Sequence, residues 1–108
     1  MNEASGPIVR LVKLSIRRNA VSEFDALFET HRTAIAGFPG CLSLMLLNDG
    51  VAGGEGVLRA TLSHWESVEA LNAYRASALF GVVWPQTKAL FAAPPVVETF
   101  AEWTRGKV

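Results

Sequence analysis

The sequence predicts an α+β sandwich, with helices covering one face of an antiparallel sheet. Three observations point to it. Segments with strand and helix periodicity follow in the order βαββααβ. Two apolar runs are joined by the glycine-rich stretch DGVAGGEG at 49–56, which is predicted as a hairpin turn. The chain has 108 residues, enough for one core and too few for two.

The first element is Ile8–Ile16 (IVRLVKLSI), rich in β-branched and apolar residues and preceded by Gly6-Pro7, hence a strand. Asn19 to Ser22 turns the chain, with Ser22 as the expected N-cap of a helix and Asp25 three residues on as a variant capping box. Phe24, Leu27, Phe28, His31 and Ile35 recur at helical spacing, and Gly37 to Gly40 ends the helix. Cys41–Leu47 (CLSLMLL) is nearly continuously apolar, as in a strand covered on both faces. Val57–Trp65 returns as the third strand. Ser67 is placed as the N-cap of a helix whose stripe is Val68, Leu71, Tyr74 and Ala78. A second cap at Ser77 opens a further helical stretch, in which Pro85 marks a kink or a fresh start. Pro94-Pro95 is expected to end it, and Val96–Trp103 is the last strand.

This order is that of a ferredoxin-like sandwich, expected as one domain over 8–103 with an extension at 1–7 and a tail at 104–108. Both faces of the second strand are apolar, with Leu42, Leu44 and Leu46 against Cys41, Met45 and Leu47. A homodimer with the two sheets stacked into a barrel would cover the free face.

Ten basic residues balance ten acidic ones, so no positive field exists for nucleic acid or an acidic membrane. The single cysteine, Cys41, excludes a disulfide framework and fits a cytoplasmic location. No apolar run has the length of a bilayer span, and the acidic opening does not read as a signal peptide. The two histidines lie on separate elements with no cysteine or carboxylate motif, so neither a metal nor a cofactor is expected. The glycine-rich stretch lacks GxGxxG and P-loop spacing.

The histidines remain candidates for proton transfer, since imidazole titrates near neutrality. His31 sits on the apolar stripe of the first helix and is expected to point toward the sheet. His64 closes the third strand, but alternation groups it with Leu58, Ala60 and Leu62, away from Arg59, Thr61, Ser63 and Trp65. Trp65 is a packing anchor by default. Tyr74 shares a buried stripe, where its phenol needs a polar partner, and the neighbouring Arg75 is either a rim cation or a solvated helix charge. Phe80, Trp84, Thr87 and Phe91 form an aromatic-rich stripe, by default core, and a cavity wall where the core is not completely filled. Lys88 snorkels beside it, and Glu66 and Glu69 suit a helix start.

SHWES at 63–67, ALNAYRAS at 70–77, Phe80, WPQTKALF at 84–91 and FPGC at 38–41 together resemble the antibiotic biosynthesis monooxygenase family over about residues 8–100. The resemblance implies a dimeric α/β barrel with a pocket in each subunit between helices and sheet. It also implies a cofactor-independent oxygenase that turns dioxygen on a small phenolic, quinol or polyketide-like aromatic. The haem-degrading branch of the family uses an Asn, a Trp and an axial His; the matching positions here are Val12, Tyr74 and Trp84, which argues against that chemistry. Tyr74, Arg75, His64 and His31 are then the catalytic candidates, with Trp65, Leu71, Phe80, Trp84 and Phe28 lining the pocket. Two alternatives stay open: a binding module for a hydrophobic metabolite, and a dimerising scaffold whose pocket is filled by Trp65, Trp84 and Phe91.

Overall fold

The structure, a computed structural model, describes residues 6–48 and 56–102. Strand β1 (Ile8–Arg17) is followed by a 3-10 turn at Arg18–Ala20 and helix α1 (Val21–Ala36). Strands β2 (Cys41–Asn48) and β3 (Gly56–Trp65) come next, then helices α2 (Val68–Arg75) and α3 (Ala78–Lys88), and strand β4 (Phe91–Ala101). The sheet is antiparallel with order β2-β3-β1-β4, and the α+β architecture is the one expected. The hairpin predicted at 49–56 lies outside the described residues except for Gly56, as does Trp103 at the end of the last predicted strand.

Alternation sorts the sheet into two faces. Ile8, Val12, Leu14 and Ile16 of β1 are buried under the helices, and their partners across β3 include Trp65, Thr61 and Arg59. The opposite face bears no helix and carries Met45 at 53% and Phe100 at 55% exposure. Leu42 does not keep the expected alternation. Cys41 pairs with Trp65 and Ser43 with His64, so Leu42 is the extra residue of a bulge and is half exposed.

Three local expectations change. The first helix begins after Ala20 with no side-chain cap, so Ser22 lies inside it, and Asp25 pairs with Arg59 instead of completing a capping box. Of the two readings of Pro85, the fresh helix start is excluded, because the residue sits inside α3. The carbonyl deprived of a donor there belongs to Gly81, and both residues are on the exposed side, open to solvent. Pro94-Pro95 lies within β4 rather than before it. The strand is at the sheet edge, where a missing N–H is tolerated, and the register shift between Lys13 and Ser15 falls across the prolines. The caps at Ser67 and Ser77 are as expected, each hydroxyl accepting from the backbone N–H three residues on.

Two inner contacts fix the layers. Buried Arg59 donates to both carboxylate oxygens of Asp25 at 3.2 and 3.1 Å and to Asn48 Oδ1 at 2.8 Å, joining β3, α1 and β2. Gly40 has φ +90°, and a Cβ there would collide with Ala70 of α2. No helix among the described residues is long and apolar enough to cross a membrane.

Substituting Gly40 by alanine therefore imposes both a disfavoured backbone conformation and a clash. A loss of at least about 1–3 kcal/mol is expected, seen as a lower urea midpoint with an unchanged slope.

Candidate active site

Between the sheet and the three helices lies a cavity of about 90 Å³. Its floor is the inward face of β1 and β3, including Arg10, Val12, Thr61, Ser63 and Trp65. Phe24 and Phe28 of α1, Leu71 and Tyr74 of α2, and Phe80 and Trp84 of α3 form its walls. A filled pocket is thus not what the aromatic residues produce.

The wall is an aromatic chain. Trp65 is 1% exposed and stacks on Tyr74, with ring centroids 5.0 Å apart and planes 26° from parallel. Tyr74 meets Phe80 edge-on at 5.2 Å, and Phe80 stacks on Trp84 at 5.7 Å. Offset and edge-to-face geometry lets each ring present its positive edge or offset face to its neighbour. The indole N–H of Trp65 donates to Ser63 Oγ at 2.9 Å, so this buried donor is satisfied from its own strand. The hydroxyl of Thr87 is likewise engaged, donating to the Val83 carbonyl at 2.9 Å.

Tyr74 and Arg10, with the hydroxyl of Thr61, are the polar groups left for a ligand. Burial pushes the Tyr74 phenol up to about 12, the Arg10 guanidinium nearby opposing the rise and Cys41 adding to it. Burial first, then the positive charge of Arg75, lowers the pKa of Arg10, while Tyr74 acts in the other direction. At neutral pH the site therefore presents a protonated phenol, a hydrogen-bond donor rather than a base, beside a guanidinium. Neither a carboxylate nor an imidazole is among the described lining residues. The Cys41 thiol is itself raised by burial, against a hydrogen bond to the Ser43 carbonyl, and stays protonated.

Of the residues singled out from sequence, Tyr74, Trp65, Leu71, Phe80, Trp84 and Phe28 all line the cavity. Arg75 is exposed and outside the lining, although its charge acts on Arg10. His64 lies on the helix-free face, paired across strands with Val9 and Ser43, its Nε2 without a hydrogen bond and 4.0 Å from Glu102. His31 is also away from the cavity. It lies in a surface groove between α1 and α3, with Thr30 and Gln86, because α3 packs beside α1 there and takes the place expected of the sheet. Val12 and Trp84, like Tyr74, line the cavity, so the positions of the haem-degrading triad bring no imidazole. Among the described residues, no three or more His, Cys, Asp or Glu side chains gather as a metal site. Arg10 is the residue that sequence reasoning missed. Its signal was alternation, which groups it with Ile8, Val12 and Leu14 on the buried face of β1.

Tyr74 is the chain's single tyrosine, so its titration can be followed directly by near-ultraviolet absorbance. Ionisation is expected near 12 in the folded protein against about 10 in the unfolded chain. Because the folded pKa is raised, the proton's contribution to stability is complete below about 10 and is lost as pH climbs toward the folded value. Denaturant melts across that interval should show a fall that Tyr74→Phe removes.

Comparison with known proteins agrees with this geometry. No curated protein matches the chain by sequence. The solved structure of Rv0793 from Mycobacterium tuberculosis superposes with a TM-score of 0.82 at 22% identity, covering 94% of this chain and all (100%) of that one. A Caulobacter crescentus protein assigned to the antibiotic biosynthesis monooxygenases gives a TM-score of 0.83 at 22% identity, over 94% of this chain and 93% of the other. A variant of SnoaB, a cofactor-independent oxygenase from Streptomyces nogalater, gives 0.76 at 16% identity, covering 92% and 95% of the two chains. At these identities the likeness is one of fold. The antibiotic biosynthesis monooxygenase family profile matches residues 7–83, well over half of the chain. The chain therefore belongs to the antibiotic biosynthesis monooxygenase family.

Proposed function

We propose that this protein is a cofactor-independent monooxygenase of a small phenolic or quinol substrate, working as a homodimer. The observation that carries the reading is the phenol of Tyr74, kept protonated beside the Arg10 guanidinium in an aromatic-walled cavity. A substrate hydroxyl entering there meets a donor and a cation, and the pair stabilises its anion. With no carboxylate or imidazole among the described lining residues, that stabilisation substitutes for a general base, and the substrate proton passes to solvent. The electron-rich phenolate then supplies the electrons itself. A hydroquinone and dioxygen give a hydroxyquinone and water: one oxygen atom enters the ring, the other is reduced to water, and all four electrons come from the substrate. The protein's task is to hold the ring against Trp65 and Phe80, keep bulk water away and fix the charge. At about 90 Å³ the cavity is well below the usual drug-sized pocket, which favours one ring over a fused polyketide.

The same small cavity supports a second reading, a binding module without turnover. Oxygen uptake separates them. With a panel of hydroquinones and anthrones, one labelled oxygen atom per turnover is expected in the product and one in water. Tyr74→Phe should lower the rate by about 10–100-fold. His64→Ala, on the far face of the sheet, should leave it unchanged. Absence of uptake with every compound would leave the binding module.

The dimer reading rests on the helix-free face, where Met45, Val96 and Phe100 are exposed around an apolar centre that includes Leu11 and Leu62. Light scattering should give twice the chain mass, and Phe100→Glu or Met45→Glu should halve it. A stable wild-type monomer would overturn the stacked sheets.

A further inference from the structure

Two arginines project from the sheet toward the helices, and they differ in one respect. Arg59 has its carboxylate built in: both oxygens of Asp25 take its N–H groups at 3.2 and 3.1 Å. Arg10 lines the cavity, partly buried among apolar residues, and makes no hydrogen bond or ion pair with any described residue. A guanidinium taken part-way out of water without an anion is costly, and a fold that keeps one there gains if a ligand supplies the missing charge. The surroundings sharpen the demand. Asp and Glu are absent from the described cavity lining, and the positive charge of a second cation, Arg75, acts on Arg10. One phenolate oxygen would answer only part of this positive field.

We propose that the cavity selects a single-ring phenol or quinol that also carries a carboxylate beside its hydroxyl. The carboxylate would take the Arg10 fork as Asp25 takes that of Arg59, with Tyr74 donating to the neighbouring hydroxyl oxygen and Arg75 adding positive field at the rim. The inference rests on the oxygenase reading for the substrate's ring chemistry, but it concerns binding and needs no turnover.

The test is calorimetric titration of the full chain with 2,5-dihydroxybenzoate, its methyl ester and hydroquinone. The acid should bind at least about tenfold more tightly than either neutral compound, a preference that weakens with added salt. Arg10→Gln should abolish the preference, Arg10→Lys should retain part of it, and Arg75→Gln should reduce it. Thermal melts report whether each variant is folded, and the wild-type comparison of acid with ester stands without any variant. Equal affinity of acid and ester for the wild type, or a preference that survives in Arg10→Gln, overturns the inference. Oxygen uptake distinguishes the two ideas. Oxidation of hydroquinone without preference for the acid sinks this inference and leaves the oxygenase. Preferential binding of the acid with no uptake sinks the oxygenase and leaves the anion site.

Discussion

The burial of Trp65 is the constraint on which the rest of the molecule depends. Its indole closes β3 opposite Ile8 of β1 and Cys41 of β2, so three strands converge on one side chain. The N–H is met by Ser63, one step back on the same face, which frees the ring to lie flat under α2. Two residues later Ser67 caps that helix, and Gly40 lets the helix approach until Ala70 rests against the backbone. Tyr74 is thereby held face-on to the indole, and the remaining aromatic rings follow from it. Large aromatic residues contribute most to a core of this size, so the anchor is energetic as well as geometric.

The cavity is not an addition to the core but a gap within it. Val12, Leu14 and Phe24 belong to the main buried cluster and also line the space. Trp65 and Leu71 do the same for the second cluster. Interiors ordinarily close to crystal-like density, so a space kept open by such residues shows that rigid rings cannot collapse into it. Stability and site share the same side chains, and substitutions there will not separate the two cleanly.

Much of this was legible in the sequence, for identifiable reasons. Period-two alternation on β3 put Thr61, Ser63 and Trp65 on the covered face and His64 on the other, and the structure has them so. Ser67 and Ser77 read as caps because each directly precedes a helical stripe, and each hydroxyl accepts the N–H three residues on. Ser22 did not behave so, because the helix starts one residue earlier at Val21, and Asp25 instead meets a long-range partner, Arg59, that no local pattern reveals. The start of β4 was obscured by Pro94-Pro95, whose tolerance depends on the strand being an edge, a property of topology. His31 fits the stripe of α1 but borders a groove, since helix periodicity gives a face and not the neighbour that covers it. Arg10 was readable in principle and hidden in practice by its charge, which invites a solvent assignment.

The double proline in β4 has a consequence for how copies of the chain meet. Beside those residues the strand offers carbonyl oxygens with no N–H between them, and the register breaks on the same stretch. A fifth strand cannot continue the ladder there, so accretion of sheet upon sheet edge, the usual path to fibrous aggregates, is interrupted on that side. The molecule carries a wide apolar surface and yet bars one of its two rims to lateral growth, which leaves broadside contact as the favoured direction of self-recognition.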